Sequence, residues 1–316
     1  MNQRTVKSSI DVVGVGLHTG RRIRLEIHPA PAGAGIRFER SDRRDAVLAL
    51  GSLLDQQGEA AARLSRADHA TTLAGDGFSI STVEHLMAAL RGLGVDNAVV
   101  RLSGDEVPIM DGSAAPFVFL LKEAGLKDLG VPRRSIVLNR PIGVVDGDRE
   151  VTLYPADHFR ITYTIDFPHA AIGRQTISRT VDERTFVNQL APARTFCLLK
   201  DVQALRARGL ALGGSLLNAV VVGDAGPLNP LRFQDEFVRH KALDLIGDLA
   251  LLGYPLAGHV VAYKAGHEMH ARLLRKMLEA RDAWTVVTPV PAHAEAPGRR
   301  QVALAAAGDA RRAVSV

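Results

Sequence analysis

Residues 84–106 (EHLMAALRGLGVDNAVVRLSGDE) and 241–268 (KALDLIGDLALLGYPLAGHVVAYKAGHE) run through one pattern twice. Each reads as a helix ending at Leu-Gly, then a Val-Val strand, then a turn containing glycine. A second helix follows in both cases, APFVFLLKEAG after the first and HARLLRKMLEA after the second. Gly94 and Gly253 fall where the leading helices close, and glycine accepts the left-handed conformation of a helix C-cap. A duplicated unit implies two similar halves, and a pocket is commonly built where such halves meet. His85 and Asp244 precede their glycines by the same interval, nine residues, so the two halves offer metal-ligand types from equivalent places.

Alternating segments lie ahead of the helices. They are RRIRLEIHP and GIRFER in the first half, and SIVLNRPIGVV, EVTLYPA and FRITYTIDF in the second. A period of two marks half-buried strands. Strands followed by helices within each half predict an α+β fold, not a doubly wound parallel sheet. With 316 residues the chain has room for two domains with a core each. The expected division is residues 1–128 and 133–290, separated at the polar, Gly/Pro-punctuated stretch 127–132. Residues 296–316, rich in Ala, Arg and Gly, read as a flexible tail without a catalytic role.

The richest chemistry lies in Phe237–Asp248 (FVRHKALDLIGD). Ala242, Leu245, Ile246 and Leu249 recur at helical spacing and form an apolar stripe. His240, Asp244 and Asp248 stand four residues apart in turn, so one imidazole and two carboxylates share a helical face. An isolated H-x-x-x-D pair is usually a solvated surface face. Here it has company. Glu84 and His85 open the first half's helix, which Ser81 or Thr82 is placed to cap. If His85 binds a metal, Glu84 points to a different side, where a general base would reach a water at the metal. Read alone, the pair is a capping glutamate beside a half-buried histidine. His267 sits at a strand-to-helix turn, suited to a general acid that Asp248 would orient and whose pKa it would raise; read alone it is a surface turn histidine. Thr195, in Ala193-Arg194-Thr195-Phe196, offers a hydroxyl for a developing oxyanion. The acids of loop 104–113 are assigned to positioning only. His28, His69, His158, His169, His259, His270 and His293 are read as structural.

Composition narrows the chemistry. The single cysteine, Cys197, excludes a thiolate zinc site and an internal disulfide, and fits a reducing compartment. No run of 18 apolar residues exists, so no spanning helix and no stable membrane insertion are expected. The N-terminus lacks the apolar core of a signal peptide. A formal charge of +5 favours anionic partners, but aromatic residues at 5% provide no stacking platform, so nucleic acid is not an expected partner.

Together these motifs closely resemble the zinc-dependent UDP-3-O-acyl-N-acetylglucosamine deacetylases of lipid A biosynthesis in Gram-negative bacteria. The resembling segments are GVGLHTG (14–20), STVEHL (81–86), VPIMDGSAAPFV (107–118), TIDFPHAAIG (164–173), ARTF (193–196), GLALGGSLLNAVV (209–221), LRFQDEFVRHKALDLIGDL (231–249) and AYKAGH (262–267). They occur in order from residue 14 to about 290. The resemblance implies two similar domains, each a small sheet on a helix pair, with the active site between them. It also implies a βαβ insert at about 197–223 that forms a passage for an acyl chain.

Residue by residue, the resemblance assigns one zinc per chain to His85, His240 and Asp244, with Glu84 as general base, His267 as general acid and Asp248 as its orienting partner. Thr195 matches the hydroxyl on the oxyanion side. Lys241 and Lys264 match residues near the substrate's diphosphate or sugar, Asp201 and Phe167 match nucleoside-side contacts, and His18 and Phe196 would line the pocket. The implied reaction removes the N-acetyl group from a small-molecule UDP-acyl-glucosamine. The enzyme is expected to be a cytoplasmic monomer, with at most transient contact with the inner membrane. Three positions depart from the family pattern: Cys197-Leu198, where Gly-Phe is usual; Leu217, where glutamate is usual; and His270, where asparagine is common. The rival readings are a zinc amidohydrolase for another acylated sugar, an inactive homologue that binds UDP-sugar lipids or anionic membrane, and a basic nucleic-acid binder. Activity that ignores the acyl chain would mark the first rival. Salt-sensitive nucleic-acid binding would mark the last.

Overall fold

A computed structural model describes residues 1–42, 47–50, 64–66, 70–75 and 77–288. The expected tail at 296–316 and the histidines His69 and His293 lie outside the described residues. The alternating segments form strands as the pattern predicts. Along Arg22–Pro29, Ile23, Leu25 and Ile27 are buried while their neighbours face outward. Along Arg160–Asp166, Ile161, Tyr163 and Ile165 do the same. Each strand therefore turns one apolar face to a core and the other to a wetter environment.

The strands assemble into two five-stranded sheets of one design. The first has the order Ile10–Val15, Arg22–Pro29, Ala98–Leu102, Ile36–Arg40, Val47–Leu50. The second has the order Ile142–Asp146, Arg149–Tyr154, His259–Tyr263, Arg160–Asp166, Arg174–Thr180. In both, the central strand is the last in sequence. It pairs antiparallel on one side and parallel on the other, and the remaining pairs are antiparallel. The repeat seen in sequence is thus a repeat of topology.

Six α-helices occur among the described residues: α1 (Glu84–Gly92), α2 (Ala115–Ala124), the single turn α3 (Glu183–Thr185), α4 (Leu199–Ala207), α5 (Glu236–Ala250) and α6 (His267–Glu279). α1 and α5 precede the two central strands and pack against each other. Gly247 of α5 lies so close to α1 that a Cβ built on it would stand 2.0 Å from the Glu84 carbonyl oxygen. Nearly the whole of both helices is buried, Glu84, His85, His240, Asp244 and Asp248 included. Gly94 and Gly253 adopt φ values of 68° and 81°, as C-terminal glycines should.

The stretch 127–132, at which the two domains are expected to divide, is extended. Leu126–Pro132 is a strand antiparallel to Asn2–Val6, so the chain's own N-terminus supplies the backbone partners that polarity alone concealed. Neither Ser81 nor Thr82 caps α1. Val83 occupies the cap position, the Ser81 hydroxyl donates to the Asp105 carbonyl, and Thr82 donates to Glu106. The short parallel pair Phe196–Leu198 and Val220–Gly223, with α4 between them, occupies the region expected to contain a β-α-β unit.

Candidate metal centre and active site

α5 carries His240 and Asp244 one turn apart, and α1 brings His85 to meet them. His240 Nε2 lies 3.2 Å and His85 Nε2 3.5 Å from Asp244 Oδ1. The two imidazoles meet edge to face with centroids 5.0 Å apart. All three side chains are buried. Metal–ligand bonds of about 2.0–2.1 Å in a tetrahedral arrangement place neighbouring donor atoms roughly 3.3–3.4 Å apart, so the observed separations suit one small divalent ion.

The protonation states agree with that fit. His240 Nδ1 donates to the Ala193 carbonyl at 3.0 Å, which leaves Nε2 as a lone-pair donor towards the cluster. Burial pushes the His240 pKa down to about 3, against the pull of Asp244, so the ring is neutral. Burial opposes the Asp244 charge, but His240, Lys241 and His267 outweigh it and hold its carboxyl well below the usual range. The Asp244 carboxylate nonetheless has one oxygen, Oδ1, buried without a hydrogen-bond partner. An ionised oxygen left bare beside two imidazole nitrogens is costly unless a cation completes the set.

A second group adjoins the first. Burial raises the Glu84 pKa, and its Oε2 accepts the Thr71 backbone N–H at 3.1 Å. Its Oε1 lies 3.8 Å from His267 Nε2. His267 Nδ1 donates to Asp248 Oδ2 at 2.8 Å. Burial disfavours a charged His267, but Asp248, Asp244 and Glu84 together raise its pKa to about 9. A carboxylate pushed towards accepting a proton thus faces an imidazolium held ready to give one, the pairing expected of a base and an acid.

Other predicted residues fall into two sets. Phe196 packs against Phe237 and Phe167 at 4.9 and 5.5 Å and lies 6.4 Å from the His240 ring. Lys241 Nζ bonds the second Asp244 oxygen at 2.7 Å and sits 5.7 Å from the Phe196 ring. Thr195 is half-buried, and its backbone joins Gly112 and Val220. The others lie farther afield. Lys264 pairs with Asp148 and Asp166, not with the His/Asp cluster. Asp201 is exposed in the first turn of α4. His18 sits in the turn after the strand Ile10–Val15, where the Leu17 and His18 carbonyls accept from Gly213 and Leu212.

Several residues were missed in sequence. His270, read as structural, is fully buried and its Nδ1 donates to Asp248 Oδ2 at 2.7 Å. Its spacing of three from His267 on one helix was the available signal. Glu106, one of the loop acids assigned to positioning, is fully buried and accepts from His18 N, Thr19 N, Thr19 Oγ1 and Thr82 Oγ1, which anchors the turn after Ile10–Val15 to the start of α1. Glu236 holds Arg194 through both oxygens and so sets the Ala193–Thr195 backbone against α5. Thr71 touches both Glu84 and Asp248, and no local pattern announces it.

The sequence matches the UDP-3-O-acyl N-acetylglycosamine deacetylase (LpxC) family over residues 3–279. The chain belongs to that family. The UDP-3-O-acyl-N-acetylglucosamine deacetylase of Myxococcus xanthus is 47% identical over 288 residues, covering 90% of this chain and 89% of the relative. The deacetylase of the same name from Citrifermentans bemidjiense is 45% identical over 297 residues, covering 93% and 95%. That of Pseudomonas entomophila is 45% identical over 291 residues, covering 91% and 93%. The deacetylase family match spans both five-stranded sheets and every residue of the His/Asp cluster.

Proposed function

We propose that this chain hydrolyses the N-acetyl amide of UDP-3-O-acyl-N-acetylglucosamine, releasing acetate and a free sugar amine in lipid A biosynthesis. One observation carries the reading. The bare Asp244 oxygen between two imidazole nitrogens lies beside the Glu84–His267 pair, in a member of this family. His85, His240 and Asp244 would hold the metal, proposed as zinc, one per chain. Such an ion supplies Lewis-acid polarisation of a carbonyl and acidifies water.

The chain's own groups do the proton work. Glu84, ionised, removes a proton from water as it attacks the acetyl carbonyl. Protonated His267 gives its Nε2 proton to the departing amine, and Asp248 fixes the ring through Nδ1. Thr195 is assigned the hydrogen bond to the developing oxyanion. Lys241 and Lys264 offer cations to the diphosphate or sugar. Lys264 is paired with Asp148, which is largely exposed, and with Asp166. Phe196, Phe167, His18 and Asp201 are proposed as further substrate contacts.

We assign the two sheet-and-helix units to two domains and the 196–223 region to an insert that meets the acyl chain. Support comes from the leucines that this region and its return leave in solvent: Leu199, Leu212, Leu216, Leu217 and Leu228 are all about half exposed or more. No helix among the described residues is long and apolar enough to cross a membrane. A monomer acting in the cytoplasm on a small molecule, without nucleic acid, completes the proposal.

The deciding experiment measures acetate release from UDP-3-O-(3-hydroxyacyl)-N-acetylglucosamine before chelation, after it, and after zinc is restored. Activity that disappears and returns supports both substrate and metal. A folded, zinc-loaded chain that releases no acetate refutes the reading. Equal turnover of substrate lacking the acyl chain would point to another acylated sugar.

A further inference from the structure

Asp248 is held by three donors from two distant parts of the chain. His267 Nδ1 and His270 Nδ1 both reach its Oδ2, at 2.8 and 2.7 Å. Its other oxygen, Oδ1, accepts the Thr71 hydroxyl at 2.5 Å. An ionised carboxylate can only accept, so the Thr71 proton points at Asp248. The Thr71 oxygen keeps its lone pairs, and one faces His267 Nδ1 at 3.2 Å. The His267 N–H is therefore shared between Asp248 and Thr71.

The same residue reaches the other arm of the site. The Thr71 backbone N–H donates to Glu84 Oε2 at 3.1 Å, and the Thr71 carbonyl accepts from Val83 N, one residue before α1. Thr71 is buried, so water does not compete for these bonds. The residue assigned as base and the pair assigned as acid belong to α1 on one side and α5 and α6 on the other. Thr71 touches both sides, whereas His270 touches only the second.

We propose that Thr71 is a positioning residue that sets Glu84 and the His267–Asp248 pair at a fixed separation. The roles of those groups rest on the deacetylase reading above; the positioning itself rests on the bonds. Removing the hydroxyl leaves Asp248 Oδ1 without its donor in a buried place, and lets the carboxylate and the imidazole it holds drift. Proton transfer is steep in geometry, so the loss should appear in turnover more than in binding.

The test compares Thr71→Val with Thr71→Ser. Valine keeps the volume and the backbone N–H to Glu84 but lacks the hydroxyl; serine restores the hydroxyl. Zinc per chain, melting temperature, kcat, KM and the NMR resonance of the His267 Nδ1 proton are measured for each. At unchanged zinc content, Thr71→Val should lose roughly tenfold in kcat with KM within about twofold, and Thr71→Ser should recover most of it. The proton resonance should move in the valine variant and stay in the serine variant. If valine prevents folding, Thr71→Ala takes its place. Wild-type kcat in the hydroxyl-free variant, or a folded serine variant as slow as the valine one, overturns the proposal. The resonance is read without substrate. An unmoved resonance overturns the positioning whatever the substrate is, whereas a moved resonance in a wild type that releases no acetate supports it and overturns the deacetylase reading instead.

Discussion

Gly247 lies in α5 against the first residue of α1. A Cβ built there would stand 2.0 Å from the Glu84 carbonyl oxygen, 2.7 Å from its carbonyl carbon and 2.9 Å from its Cα. Non-bonded carbon contacts settle near 3.5–4.0 Å, so Gly247→Ala requires the two helices to part locally by at least about 1 Å. None of the obstructing atoms is the end of a flexible side chain; all are backbone. Overpacking of this kind costs about 1–3 kcal/mol. Alanine recovers about 1 kcal/mol over glycine as a helix former, so the net loss of stability should be small, about 0–2 kcal/mol.

Catalysis should suffer more. The atoms displaced are the backbone of Glu84 itself, and a shift of about 1 Å in a catalytic group costs on the order of 100-fold. The prediction is a variant with a slightly lowered melting temperature, weaker zinc binding because His85 moves with Glu84 away from His240 and Asp244, and kcat depressed by about 100-fold at saturating zinc. Acetate release, thermal melting and metal analysis on the same preparation check it. A variant with kcat within about threefold of wild type and an unchanged or raised melting temperature would show that the helices accept a methyl group, and the close-packing argument would fail.

Three further outcomes are expected. Glu84→Gln should keep its zinc, because Glu84 is not in the ligand set, and lose at least about 100-fold in kcat; normal turnover would mean that another group is the base. The profile of kcat/KM against pH should be a bell. The acid limb falls as Glu84 gains its proton, above the ordinary glutamate range, and the alkaline limb falls as His267 loses its own, near 9; a profile flat across either limb would refute that group's role. Glu236→Ala should destabilise the fold by about 3–5 kcal/mol, measured by denaturant melting, since it strands the buried Arg194 guanidinium; a loss below about 1 kcal/mol would mean that water or another acceptor replaces the carboxylate.

Much of the site was legible because its signals are local. His240, Asp244 and Asp248 share a helical face by spacing alone, and His85 follows Glu84 directly. The strands announced themselves by alternation, and Gly94 and Gly253 by ending their helices. Thr71 had no such mark. It is a threonine on a segment without ligand spacing, and its importance comes from approaching α1, α5 and α6 at once. Glu106 lies among the loop acids assigned to positioning, but its four donors, from His18, Thr19 and Thr82, are set only by the fold. The pairing of the 127–132 stretch could not be read from sequence because its partner strand is more than a hundred residues away.

By itself, the sequence determined the duplicated α+β plan and the residue types available for a thiolate-free metal site. Periodicity and i,i+4 spacing act within one element and are written in consecutive residues. Only the tertiary structure decided that His85 Nε2 and His240 Nε2 converge on one Asp244 oxygen, that Gly247 must lack a side chain, and that Thr71 bridges Glu84 and Asp248. Those facts depend on how closely two helices approach and on which distant strand is laid beside them. No pattern within either helix specifies that distance; the packing of α1 against α2, and of α5 against α6 and the second sheet, does.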